Sequence, residues 1–164
     1  MAGYQLLMQT KLTFHGKTVD IKLSDLANRQ SINIYSILLI EIQIYFSCLL
    51  GKRLAFYTDQ PLDGAWQVDT DEFSSMLKDA QPLTDKVYVR FNTVMTRSCP
   101  TSDYAGPPPV TDFEIKNQKP YVPDWLMIDF QSNVWSGEFG WSKSKPGQSN
   151  TKQVRGAAVL NQTD

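Results

Sequence analysis

The sequence predicts an α+β domain followed by an irregular, proline- and aromatic-rich C-terminal arm, and three observations carry that prediction. Residues 6–23 alternate apolar and polar side chains, interrupted once by His15-Gly16-Lys17, as a half-buried hairpin does. Residues 34–50 (IYSILLIEIQIYFSCLL) are almost wholly apolar; their many isoleucines also permit a strand, but the length exceeds an ordinary strand and favours a helix. From Arg97 onward periodicity disappears, and seven of the nine prolines follow.

Taken in order, Leu6, Met8, Leu12 and Phe14 fall on even positions with Gln9, Lys11 and Thr13 between them. Val19, Ile21 and Leu23 alternate with Thr18, Asp20 and Lys22, so the second run pairs back on the first. Ser24 or Asp25 is placed to cap a helical turn, and Ser31 to cap a main helix over residues 31–50. Residues 54–57 predict a short strand, Gln60 to Gly64 a turn containing Pro61 and Asp63-Gly64, and residues 66–68 another short strand. Asp69 or Thr70 then caps a short helix with Asp71 and Glu72 in its first turn, where carboxylates favour the helix dipole, and with Phe73, Met76 and Leu77 on one face. Pro82 closes it, and Val87, Val89 and Phe91 alternate with Tyr88 and Arg90 as a last strand. The predicted order is strand, strand, helix, strand, strand, helix, strand over residues 1–96, with the arm over 97–164 and its end frayed from Gly147.

A length of 164 residues and 18.6 kDa fits one domain, or one small domain with a long appendage. With 41% apolar and 20% charged residues the chain can bury a core, which excludes collagen, heptad coiled coil and wholly disordered classes. Sixteen basic against seventeen acidic residues leave a net charge of −1, without the basic footprint of a nucleic-acid binder. The N-terminus lacks the charged, apolar and cleavage regions of a secretory signal. Cys48 and Cys99 form neither a metal-ligand pair nor a disulfide framework, so Cys48 is expected to pack on the apolar helix and Cys99 to be exposed. The expected compartment is cytoplasm or nucleus. Residues 34–50 reach the lower limit for crossing a bilayer, but Glu41 and Gln43 lie at the middle, where a carboxylate costs about 2.5–3.5 kcal/mol. A buried helix, with no membrane contact, is the expectation.

Charge is unevenly placed. Residues 54–85 hold seven acids (Asp59, Asp63, Asp69, Asp71, Glu72, Asp79 and Asp85) against Lys78 alone, whereas the rest of the chain up to Thr96 holds eight bases against three acids. A domain so divided presents faces of opposite sign and favours head-to-tail association. The arm crowds Trp125, Phe130, Trp135, Phe139 and Trp141 into residues 125–141, unlike a solvating linker, and is expected to lie over the outer face of the 31–50 helix or over that of a neighbouring copy.

The segment LAFYTDQPLDGAWQVDTDEFSSML resembles the acidic motif of the Phox-and-Bem interaction domains, and the element order is similar to their ubiquitin-like β-grasp. Tyr57, Asp59, Asp63, Gly64, Asp69, Asp71, Glu72 and Phe73 match the motif in order, and Lys11 in TKLTFHGKTVDIKLS is the candidate for the lysine that takes the acidic face of the next molecule. The resemblance covers about residues 5–92. It implies a non-catalytic interaction module that self-associates or pairs with a similar domain through Lys11, Tyr57, Asp59, Asp63, Asp69, Asp71 and Glu72. The alternative is an accessory or inhibitory protein of a mobile element or virus that binds a host or structural partner through Trp125, Trp135 and Trp141.

Catalytic machinery is not visible. His15 is the one histidine, and there is no Gly-x-Ser-x-Gly, no phosphate-binding glycine loop and no dinucleotide fingerprint. Asp59, Asp63, Asp69 and Asp71 lack the spacing of a calcium loop, so neither metal nor cofactor is expected. Pro120-Tyr-Val-Pro123 satisfies a minimal PxxP, a pattern that so proline-rich a stretch matches by chance.

Overall fold

A computed structural model describes residues 8–46, 50–96, 110–112, 115–142, 152–154 and 158–162. The period-two run folds as its pattern dictates. Strand β1 (Met8–Phe14) pairs antiparallel with β2 (Lys17–Leu23), Met8 opposite Leu23 and Phe14 opposite Lys17. His15 and Gly16 join them with φ of 51° and 80°, the left-handed pair that a two-residue turn needs to match strand twist. Ser24 ends β2 and caps α1 (Asp25–Asn33), its Oγ accepting the Ala27 N–H at 3.1 Å.

The predicted helix over residues 31–50 does not form. Ser31 lies inside α1 and donates to the Asn28 carbonyl rather than capping anything. The apolar run is instead β3 (Leu38–Phe46), which leads into β4 (Leu50–Thr58). The reason is that both faces of β3 are covered. Leu38, Ile40, Ile42 and Ile44 enter one core, and Leu39, Glu41, Gln43 and Tyr45 are buried on the other side. A strand buried on both faces loses its alternation and reads as a continuous apolar run, while its isoleucines favour the pleated conformation.

Downstream, β5 (Trp66–Gln67), α2 (Thr70–Leu77) and β7 (Val87–Thr96) follow the predicted order, with a short unpredicted strand, β6 (Gln81–Pro82), where Pro82 was expected only to close the helix. Among its described residues the arm expected to be irregular is largely strand. It contributes β8 (Val110–Asp112), a 3-10 turn at Lys119–Tyr121, β9 (Trp125–Gln131) and β10 (Val134–Gly140). The end expected to fray contributes β11 (Lys152–Val154) and β12 (Ala158–Gln162). Cys48 and Cys99 lie outside the described residues.

These strands form two sheets. The first runs β1-β2-β9-β10, and the second runs β11-β12-β4-β3-β7-β6, with β5 also on β4 and β8 also on β7. The fold is α+β with mixed sheets, but its strand topology is not the β-grasp order, which would place the first hairpin in the same sheet as the later strands. The hairpin pairs instead with β9, in parallel, from Asp20 opposite Trp125 to Leu23 opposite Ile128. That pairing crosses the division expected at residues 96/97. Lys17 ties the junction, donating to the Val122 carbonyl at 2.6 Å and meeting Asp124 at 2.9 Å.

The sheets enclose one large core. Val19, Ile21, Ile40, Ile42, Leu54, Phe56, Leu126 and Ile128 are 0–1% exposed there, with Trp135 from β10 among them. Trp135 stacks on Phe56 with ring centroids 6.5 Å apart and tilts against Phe130 at 4.8 Å. The rings of the arm therefore cover the strands facing them, not the outside of a helix. On the far side of the second sheet a smaller cluster of Leu39, Ala55, Tyr57 and Phe73 packs beneath α2. No helix of the described residues is long and apolar enough to cross a membrane.

Trp135 makes the arm inseparable from the core. Replacing it with Ala should cost about 3–5 kcal/mol, the usual loss for a fully buried large ring, read as a lower urea midpoint at unchanged slope. A chain ending after Thr96 lacks β9 and β10 and should show no cooperative thermal transition by circular dichroism.

Candidate functional site

The residues of the acidic motif gather at one end of the second sheet. Val68 donates to the Thr58 carbonyl at 2.8 Å, and β5 pairs in parallel with the end of β4. This closes the intervening turn and brings the entry of α2 beside its start. Gly64, with φ of 86°, lets the turn approach the β9–β10 hairpin: a Cβ there would lie 2.9 Å from the Asn133 carbonyl and 3.1 Å from the Trp135 ring. Asp69 is the cap of α2, its Oδ2 accepting the Asp71 N–H at 3.1 Å, and Asp71 and Glu72 are exposed in the first turn. Asp63 is exposed and Asp59 partly so. Among the described residues none of Asp59, Asp63, Asp69, Asp71 and Glu72 has a basic partner, whereas Asp20, Asp25, Glu41, Asp79, Asp112 and Asp124 each face a lysine or arginine.

Tyr57 differs from the rest of the motif. It is buried under Phe73, and its hydroxyl accepts from Gln43 Nε2 at 3.3 Å, so it packs the core rather than offering a surface. Burial, with Glu41 nearby, holds its phenol well above the ordinary range.

Lys11 is exposed on β1, the edge of the other sheet, and among the described residues its one acidic partner is Asp20, loosely at 3.7 Å. The hydrogen-bond parity of this edge is fixed by Thr13, whose backbone N–H and carbonyl both engage the side-chain amide of Gln81. Because strand groups alternate, the backbone groups of Lys11 and Gln9 also point outward, and no strand of the described residues lies against them. Lys11 and the acidic motif form no ion pair within the chain.

Of the three tryptophans expected to dock a partner, Trp135 is buried in the core, whereas Trp125 and Trp141 are half-buried. Trp135 is 1% exposed. Trp125 donates from Nε1 to the Trp141 carbonyl at 3.3 Å, and the Trp141 ring lies edge-on to Phe139 at 6.1 Å. Lys52 Nζ sits over both the Phe139 and Trp141 rings and donates to the Phe139 carbonyl at 3.0 Å; burial lowers its pKa. The PxxP stretch begins in the 3-10 turn and ends at a buried Pro123.

A polar seam that the sequence reading missed crosses the outer face of β3. Arg90 Nη1 meets Glu41 Oε2 at 2.5 Å, Gln43 Nε2 donates to Glu41, and Arg53 Nε donates to Gln43 Oε1 at 2.6 Å. Strand register produces it: Glu41 lies opposite Arg90 in the parallel pair with β7, and Gln43 opposite Arg53 in the antiparallel pair with β4. Reading residues 31–50 as helix hid both pairings. Burial raises the Glu41 pKa, and the Arg90 guanidinium opposes that rise. Among the described residues no group of three His, Cys, Asp or Glu is arranged to hold a metal ion. No protein-family model, curated protein or solved structure matches this chain.

Because the folded pKa of Glu41 lies above its ordinary 4.5, its contribution to stability is complete below that value and is lost as pH rises through the folded value. Glu41→Gln removes this dependence, so the stability of the native chain relative to the variant should fall as pH is raised above 4.5. Denaturant titrations at several pH values measure it, and a pH-independent difference would show that Glu41 does not carry a raised pKa.

Proposed function

We propose that this chain is a non-catalytic protein–protein interaction domain that associates with copies of itself or with a related domain. The exposed carboxylates of Asp63, Asp69, Asp71 and Glu72, with the partly exposed Asp59, on one molecule meet the Lys11 side of the next. The observation that supports it is that these five acids lack any basic partner among the described residues, while Lys11 stands on an open strand edge in the other sheet. Two such patches on different elements form a heterologous contact, which repeats head to tail until it closes into a ring or extends as a filament. The likeness to Phox-and-Bem domains rests on the acidic motif and not on sheet order. Asp69 also caps α2, so a test through its replacement would mix lost helix stability with lost contact.

Asp71 and Glu72 avoid that difficulty. Light scattering should find assemblies at low salt that shrink near 0.5 M, where the Debye length falls to roughly 4 Å. Asp71→Asn with Glu72→Gln, and separately Lys11→Ala, should each reduce the mass to that of a monomer, while an equimolar mixture of the two variants should form a dimer through the one intact contact. A wild type that is monomeric at low salt overturns the reading.

A further inference from the structure

Where the first hairpin turn approaches β7, the two sheets leave a cleft of about 390 Å³, in the size range of a small-ligand site. His15 lines it from the turn, Arg90 and Asn92 from β7, and Asp79, Asp112 and Gln118 from the surrounding segments. None of these belongs to the acidic motif or is Lys11.

Three polar groups of the cleft are held in place, Arg90 from outside it and the others by neighbours that also line it. Glu41 fixes Arg90 from the buried side of the strand at 2.5 Å. Asn92 Nδ2 donates to Asp112 Oδ1 at 2.9 Å, and the Gln81 amide is fastened to the Thr13 backbone. Side chains already oriented lose little freedom when a ligand arrives.

The arrangement of charge selects among ligands. Arg90 Nη2 lies 3.8 Å from Asp79 and 3.9 Å from Asp112, beyond hydrogen-bond range, so a donor and two acceptors stand side by side without satisfying one another. An anion drawn to Arg90 meets both carboxylates, and a cation drawn to the carboxylates meets Arg90. A hydroxyl suits both, since it accepts from the guanidinium and donates to either aspartate. The amides of Asn92 and Gln118 add further donors and acceptors. The exposed His15 ring, edge-on to Phe91 with centroids 5.8 Å apart, gives a C–H face of a ring something to lie against. We propose that this cleft is a binding site for a neutral sugar, a mono- or disaccharide, independent of the association face.

The full chain tests it by saturation-transfer NMR and calorimetry with glucose, galactose, mannose, N-acetylglucosamine and their β-linked disaccharides, with arginine and inorganic phosphate as charged controls. At least one sugar should bind saturably and both controls should not. Asp112→Ala should weaken that binding about tenfold or more, the usual loss when a hydrogen bond to a charged group is removed, while leaving the unfolding transition in place. Should Asp112→Ala fail to fold, His15→Asn, which keeps the left-handed backbone of the turn and removes the ring, should weaken sugar binding instead. Absence of saturable binding to every sugar, binding of only arginine or phosphate, or sugar affinity unchanged in the folded variant would each overturn the proposal.

Discussion

Strand β3 has no exposed face, and the rest of the fold is arranged around that constraint. Its even positions need the first sheet against them, which is why β9 and β10 must fold back beside the opening hairpin. Its odd positions need cover on the other side, which α2 supplies over Leu39 and which Tyr45, Glu41 and Gln43 continue as a buried polar row. Burying a carboxylate and two guanidinium groups there is tolerable because register puts each charge against a partner: Glu41 against Arg90, and Arg53 against the Gln43 amide. Tyr45 closes the row by lying over Gly51, where a Cβ would collide with its ring, and the Arg53 guanidinium sits over the same ring at 5.5 Å.

What could be read from the chain and what could not follow from the range of the interactions involved. His15-Gly16, Ser24 and Asp69 act on their immediate neighbours, so the turn and both caps were legible. The fate of residues 38–46 depended on two other layers of the protein, which local pattern does not carry. The arm was obscured in another way. Leu126 and Ile128 alternate inward, as do Trp135 and Phe139, and Ser132-Asn133 has the left-handed backbone of a tight turn, but the density of prolines before it drew attention away from a regular hairpin.

The same division applies to the candidate surfaces. The acidic segment was visible because charge counts survive any error in fold. The tryptophans were visible as residues needing burial, and the structure places Trp135 in the interior of its own molecule. The polar cleft was not visible at all, since it draws on His15, Asp79, Arg90 and Asp112, residues that only strand pairing brings together.

Parallel pairing of β2 with β9 also bears on how the chain reaches its native state. Ser24 bonds to Asp129 across 105 residues at 2.6 Å, and every contact of that ladder closes a loop of similar size. Such topologies fold slowly, because the entropy of a long loop is lost before its contacts form. During synthesis β2 emerges long before its partner, and the edge that takes β9 stays unpaired until residues beyond 128 have left the ribosome. An open edge of this kind is available to chaperones, or to the hairpin of a neighbouring nascent chain, for that whole interval.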